Sequence, residues 1–99
     1  MRYHFDWDPN KAEANLKKHG ITFERVSTIF LDPRMISVFD TDHSEHEDRW
    51  VTIGIDSNGI LLVVVHTFQQ LNAHLYKIRI ISGRRATQKE SKQYREENK

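Results

Sequence analysis

Cysteine is missing from this 99-residue chain, which excludes disulfides and thiolate metal sites. The absence fits a reducing compartment, and the expected location is the cytoplasm. No stretch approaches the ~20 consecutive apolar residues of a membrane span, and the opening MRYHFDWD does not resemble a signal peptide. Apolar residues are also scarce, at 37%. Even with the four glycines added, the share stays below the ~45–50% usual for soluble domains, so the core should be adequate but thin. There is no glycine-rich phosphate loop, no Ser–His–Asp order and no cysteine-based zinc spacing. Chemistry on phosphate esters would then fall to His, Lys, Arg and Glu, with neither metal nor cofactor expected.

What the chain does have is charge, unevenly placed. The length suits one domain over residues 1–99 with one hydrophobic core. The net charge is only +1, yet residues 40–56 carry −5 and residues 77–99 carry +5. A basic C-terminal end suggests a face for nucleic acid, although such a dipolar chain can also spend its charges on another protein.

Local patterns predict the element order β-α-α-β-β-β-β-α. In YHFDW, Tyr3, Phe5 and Trp7 alternate with His4 and Asp6, as in a half-buried strand. Asp8-Pro9 should start a helix that stops at Gly20, with Ala12 and Leu16 supplying a narrow buried stripe. Phe23, Val26, Ile29 and Phe30 predict a second helix from Thr22 to about Leu31. Strands follow at 35–40, 49–55 and 60–68, the last two joined by an Asn58-Gly59 hairpin turn. The 60–65 run is apolar on both faces, as a central strand covered above and below requires. A last strand covers 74–82, and Thr87–Glu90 has capping-box spacing for a final helix with almost nothing apolar except Tyr94. Such a helix needs neighbours or a partner to hold it. The fold class is α+β, helices on a largely antiparallel meander.

The basic end carries the sharpest question. On the last strand, Lys77 and Arg79 share a face with Ile81, so Arg79 interrupts an apolar row. Ser82 and a flexible Gly83 lead into Arg84 and Arg85, beside a helix N-terminus. Arginine is unfavourable there for the helix itself, and a phosphate bound by the guanidinium forks would explain the cost. The simpler explanation is that these arginines pair with the acidic loop or point into water. His66, on the central strand, is the candidate general acid or base if it faces the same side as Arg79. A lone strand histidine is otherwise structural. His19, with Lys18 beside it, also fits plain cation placement at a helix C-terminus. His43 and His46 sit in an acidic loop and read as solvated rather than metal-binding, because a site needs three or four converging ligands.

Three segments together, FDWDPNKAEANLKKHGITFERV (5–26), VTIGIDSNGILLVVVHT (51–67) and RIISGRRATQKE (79–90), resemble the BrnT family of bacterial toxins. The resemblance rests most on Trp7-Asp8-Pro9, Asn15, Lys18-His19-Gly20, and then Arg79, Ser82, Arg84 and Arg85. It implies a RelE-like ribonuclease fold and a toxin that cuts RNA to inhibit translation. It further implies neutralisation by a BrnA-like ribbon-helix-helix antitoxin, in a heterotetramer that touches DNA only through the antitoxin. The resulting assignment makes His66, Arg79, Arg84 and Arg85 the catalytic set. Lys18, His19, Lys77 and Ser82 would bind substrate. The competing reading is a non-catalytic module that binds nucleic acid or an antitoxin.

Overall fold

The computed structural model describes residues 2–43 and 47–99, without the side chain of His43. The pair His43 and His46 in the acidic loop therefore lies outside the described residues. In chain order the elements are β1 (Arg2–Trp7), α1 (Pro9–His19), α2 (Phe23–Ser27), a 3-10 turn (Thr28–Leu31) and β2 (Ile36–Phe39). After a short 3-10 segment (Thr41–His43) come β3 (Arg49–Ile55), β4 (Leu61–Gln70), β5 (Leu75–Arg85) and α3 (Gln88–Glu97). The sheet order is β1-β5-β4-β3-β2. From β2 to β5 the strands form an antiparallel meander, and β1 joins its far edge parallel to β5. The expected α+β class holds.

The chain's own signals set the helix ends. The Asp8 side chain accepts from the Asn10 N–H at 2.8 Å, Pro9 takes the first turn, and Gly20 closes α1 at φ 70°. Leu16, expected in the buried stripe, is 45% exposed, and the one buried residue of α1 is Asn15. The predicted second helix breaks after Ser27. There the Ser27 and Thr28 hydroxyls bond back to the Glu24 and Arg25 carbonyls, each at 2.6 Å, and the chain tightens into the 3-10 turn. Its apolar stripe survives the break, since Phe23, Val26, Ile29 and Phe30 are all buried.

These four residues cover one face of the sheet, the inner face, where Leu62 and Val64 of β4 and Ile78 and Ile80 of β5 complete the core. Tyr3, Phe5 and Trp7 of β1 pack on its margin, as the alternation predicts. The central strand is covered on both sides, because Val63 is buried on the outer face beneath α3. That last helix is poor in apolar residues and is held by its neighbours. The Tyr94 hydroxyl donates to Asp32 at 2.6 Å, and Asn98 donates to the Arg34 carbonyl. Burial, followed by that contact with Asp32, pushes the Tyr94 pKa up to about 12.

A β-bulge in β5 shapes everything on the outer face. His66 pairs with Ile80 and Val65 with Ser82, so Ile81 has no partner on β4. One extra residue reverses the alternation beyond it. Plain alternation would put Arg79 and Arg84 on opposite faces. With the bulge, Lys77, Arg79, Ser82 and Arg84 all line the outer face of one strand.

Candidate nucleic-acid interface

The strand itself was expected to end near Ser82 and release the arginines into a flexible turn. Instead β5 continues to Arg85, and Gly83 is a buried strand residue. A Cβ at Gly83 would lie 2.4 Å from a Val26 methyl, so glycine is there for close approach rather than for freedom. Asn15 fastens the same point from α1. Its Nδ2 donates to the Gly83 carbonyl at 2.9 Å and to the Ile21 carbonyl at 3.2 Å, while Oδ1 accepts the Gly83 N–H at 3.0 Å. The inner-face anchor thus fixes the pitch of a strand whose outer face carries the cations.

On that outer face, paired residues of four strands form a row. Asp6 of β1 pairs with Arg79 of β5, Arg79 with Thr67 of β4, and Thr67 with Arg49 of β3. The Arg79 Nη1 donates to the Asp6 carboxylate at 2.6 Å, with the Lys77 ammonium 3.8 Å from the same oxygen. Partial burial works to raise the Asp6 pKa. The Arg79 hydrogen bond and the charges of Arg79 and Lys77 outweigh it, holding the group below its ordinary 3.8. The Arg79 side chain remains 44% exposed, so an anion can reach it.

Arg84 is engaged differently. Its Nη1 and Nη2 donate to the two Glu90 oxygens at 2.8 and 2.9 Å. Glu90 also accepts the Thr87 N–H at 2.9 Å, completing the predicted capping box. Chiefly through the Arg84 hydrogen bonds, the Glu90 pKa falls from 4.5 to about 2. Because the folded state holds this carboxylate ionised, its contribution to stability is complete above pH 4.5 and is lost as the pH falls toward 2. Glu90→Gln should therefore cost about 1 kcal/mol at neutral pH, after allowance for solvent screening. It should also flatten the acid limb of a urea-midpoint-versus-pH curve; an acid limb as steep as the wild type's would contradict this account.

The other candidates stand apart. His66 is on the inner face, 2% exposed and edge-on to Phe30 at 5.0 Å between ring centres. Its condition for a role beside Arg79, a shared face, is not met, because it pairs with Ile80. Burial lowers its pKa below 6.5, partly opposed by its bond to the Thr67 carbonyl. Lys18 and His19 close α1, which packs against the inner face of β5, and Arg85 is exposed on that side of the strand end. So the structure gathers Lys77, Arg79, Ser82 and Arg84, and leaves His66, Lys18, His19 and Arg85 elsewhere. Sequence reasoning missed Asp6 and Arg49. The alternation in YHFDW already turned Asp6 away from the core, but only the parallel pairing of β1 puts it on Arg79. Among the described residues no cluster of His, Asp or Glu could hold a metal ion, and no helix is long and apolar enough to cross a membrane.

The fold and site together define a small α+β protein whose five-stranded sheet carries Lys77, Arg79 and Arg84 on one face, brought there by a bulge. The family assignment is specific: the chain belongs to the family described as "Ribonuclease toxin, BrnT, of type II toxin-antitoxin system", whose model matches residues 7–90. It is thus a ribonuclease toxin of a type II toxin–antitoxin system. The fold is similar to that of the Brucella abortus ribonuclease toxin BrnT, determined at 1.1 Å, with a TM-score of 0.56 and 21% identity. The alignment covers 89% of this chain and 100% of that one. No curated protein matches the sequence.

Proposed function

We propose that the outer-face row is the cleavage site and that it cuts RNA without a metal, by attack of the RNA's own 2′-oxygen on the adjacent phosphorus. The observation that carries this reading is Arg79, exposed and 2.6 Å from Asp6, in register with Thr67 and Arg49. Arg79 and Arg84 meet the phosphate oxygens and the charge that builds on them in the transition state, with Ser82 and Lys77 as further donors. Arg85, Lys18 and His19, on the inner-face side of the sheet, take no part in this row. An arginine takes no proton, because its pKa is above ~12. The base on this face is then the Asp6 carboxylate, ionised throughout the neutral range, in the place first considered for His66. In the step, the 2′-O–P bond forms and the P–O5′ bond breaks. The 2′ proton goes to Asp6, the 5′-oxygen is protonated from water, and the hydroxide left takes the proton back from Asp6, so that a 2′,3′-cyclic phosphate and a 5′-hydroxyl result.

The toxin would work in the cytoplasm and be neutralised there by a BrnA-like ribbon-helix-helix antitoxin covering the basic face. Their heterotetramer would reach DNA only through the antitoxin. One observation favours a second reading, a non-catalytic binding module: Arg79 and Arg84 are each already paired with a carboxylate of the same chain.

The deciding experiment incubates the purified protein with 5′-labelled single-stranded RNA in EDTA. We expect fragments ending in cyclic phosphate, and no cut where the 2′-oxygen is methylated. Fragments bearing 5′-phosphates, or cutting restored only by a divalent metal, would defeat the mechanism. Binding of RNA without any cutting would leave the second reading in place.

A further inference from the structure

At the end of the inner face left uncovered by α1 and α2 there is a recess. Its volume is about 280 Å³, and its walls include Tyr3, Trp50, Phe68 and Tyr76. Phe68 and Tyr76 stack on each other at 4.9 Å and 20°. None of these four rings is fully buried, so the recess opens to solvent. Ligand pockets for drug-sized molecules begin near ~300 Å³, so this one has room for a single ring system.

Ser37 and His66 are in the lining, and Thr52 beneath the surface joins them in a chain of three side chains. His66 Nε2 lies 2.6 Å from the Thr52 hydroxyl, which lies 2.7 Å from the Ser37 hydroxyl, while His66 Nδ1 lies 3.0 Å from the Thr67 carbonyl. A carbonyl only accepts, so in the neutral imidazole Nδ1 carries the hydrogen and Nε2 is the acceptor. Thr52 therefore donates to His66, and Ser37 donates to Thr52. The Ser37 hydrogen is committed, and what Ser37 offers the recess is lone pairs alone. Thr52 is 0% and His66 2% exposed, so this polarity is built in from beneath.

We propose that this recess is a nucleobase site, taking a planar heteroaromatic ring whose N–H edge donates to Ser37 Oγ while the ring lies against Trp50 and the Phe68–Tyr76 stack. Aromatic walls bind any base face by stacking, whereas an acceptor at the rim selects a donor edge. An aliphatic guest would use neither feature. The site lies across the sheet from the arginine row, and its existence does not depend on cleavage. The base can come from a free nucleoside or from an RNA strand, which have the same ring chemistry.

The test follows ring resonances of the full-length protein by NMR during titration with adenosine, with purine riboside (which lacks the amino group) and with a short oligoadenylate. Adenosine should shift Trp50, Phe68 and Tyr76 saturably and bind at least about tenfold more tightly than purine riboside, a difference of ~1.4 kcal/mol. In Ser37→Ala the two nucleosides should bind alike. Shifts of the same rings by oligoadenylate would assign the site to a strand's base, and shifts by adenosine alone to a free nucleoside; either supports the proposal. Equal binding of adenosine and purine riboside to the wild type would overturn it. So would the absence of any shift with both adenosine and oligoadenylate.

Discussion

Arg79→Ala lowers single-turnover RNA cleavage by about 10²–10³, the loss typical when one preorganised donor to a developing oxyanion is removed. The residue is suited to so large an effect because its partner is at the rim and its fork is not saturated. Nη1 is held by Asp6, and the side chain is 44% exposed, leaving donors for phosphate. Arg79→Lys keeps the charge but not the planar fork, so it should fall between the wild type and alanine. Stability separates this from a folding defect. An ion pair this exposed contributes little to stability, so the urea midpoint of Arg79→Ala should move little. Asp6→Asn makes the companion measurement. If Asp6 takes the 2′ proton, its loss costs about 10²–10⁴ in rate. If Asp6 only orients Arg79, Asp6→Asn should be mild and Arg79→Ala severe. An unchanged rate in Arg79→Ala would remove the row from the mechanism altogether.

The sequence made the helix boundaries readable because capping is local chemistry. Asp8, Gly20 and Thr87 do what their residue types favour. The break after Ser27 was not readable, because it follows from a competition between hydroxyls and amides for the same carbonyls. The site was legible only in part. Arg79, Ser82 and Arg84 stood out as residues that packing does not explain, yet their common face arises from a bulge, and alternation alone gives the opposite result for Arg84. Asp6 is 73 positions from Arg79 in sequence, and its role depends on a parallel strand pairing that no local pattern encodes. His66 shows the converse. A histidine after the six apolar residues 60–65 reads more often as structural, and it becomes a reactive candidate only if it shares a face with Arg79, which depends on the register of β4 against β5. Tyr3, Trp50, Phe68 and Tyr76, on four different strands, meet as partly exposed rings around a recess that no local pattern encodes.

Asn15→Ala should be the most damaging substitution outside the hydrophobic core, at about 3 kcal/mol, since a buried group deprived of its partner costs ~1–3 kcal/mol. The variant strands the Gly83 N–H, the Gly83 carbonyl and the Ile21 carbonyl together. Gly83→Ala attacks the same joint sterically. The new methyl would meet Val26 Cγ2 at 2.4 Å, and a β-branched side chain packed in the core cannot swing away as a lysine tip would. Overpacking of this kind costs about 1–3 kcal/mol. Val26→Ala also destabilises on its own, by opening a cavity. Combined with Gly83→Ala, however, it should recover part of the loss, because the added methyl fills space the valine vacates. Urea unfolding of the two single variants and the double variant measures that coupling directly. Simple additivity would mean that Gly83 and Val26 are not in the contact described. The joint also bears on function, because Gly83 lies between Ser82 and Arg84. A folded Asn15→Ala protein below its unfolding transition should still cut RNA more slowly than the wild type. Wild-type cleavage in that variant would show that the bulge holds the cations in place without help from α1.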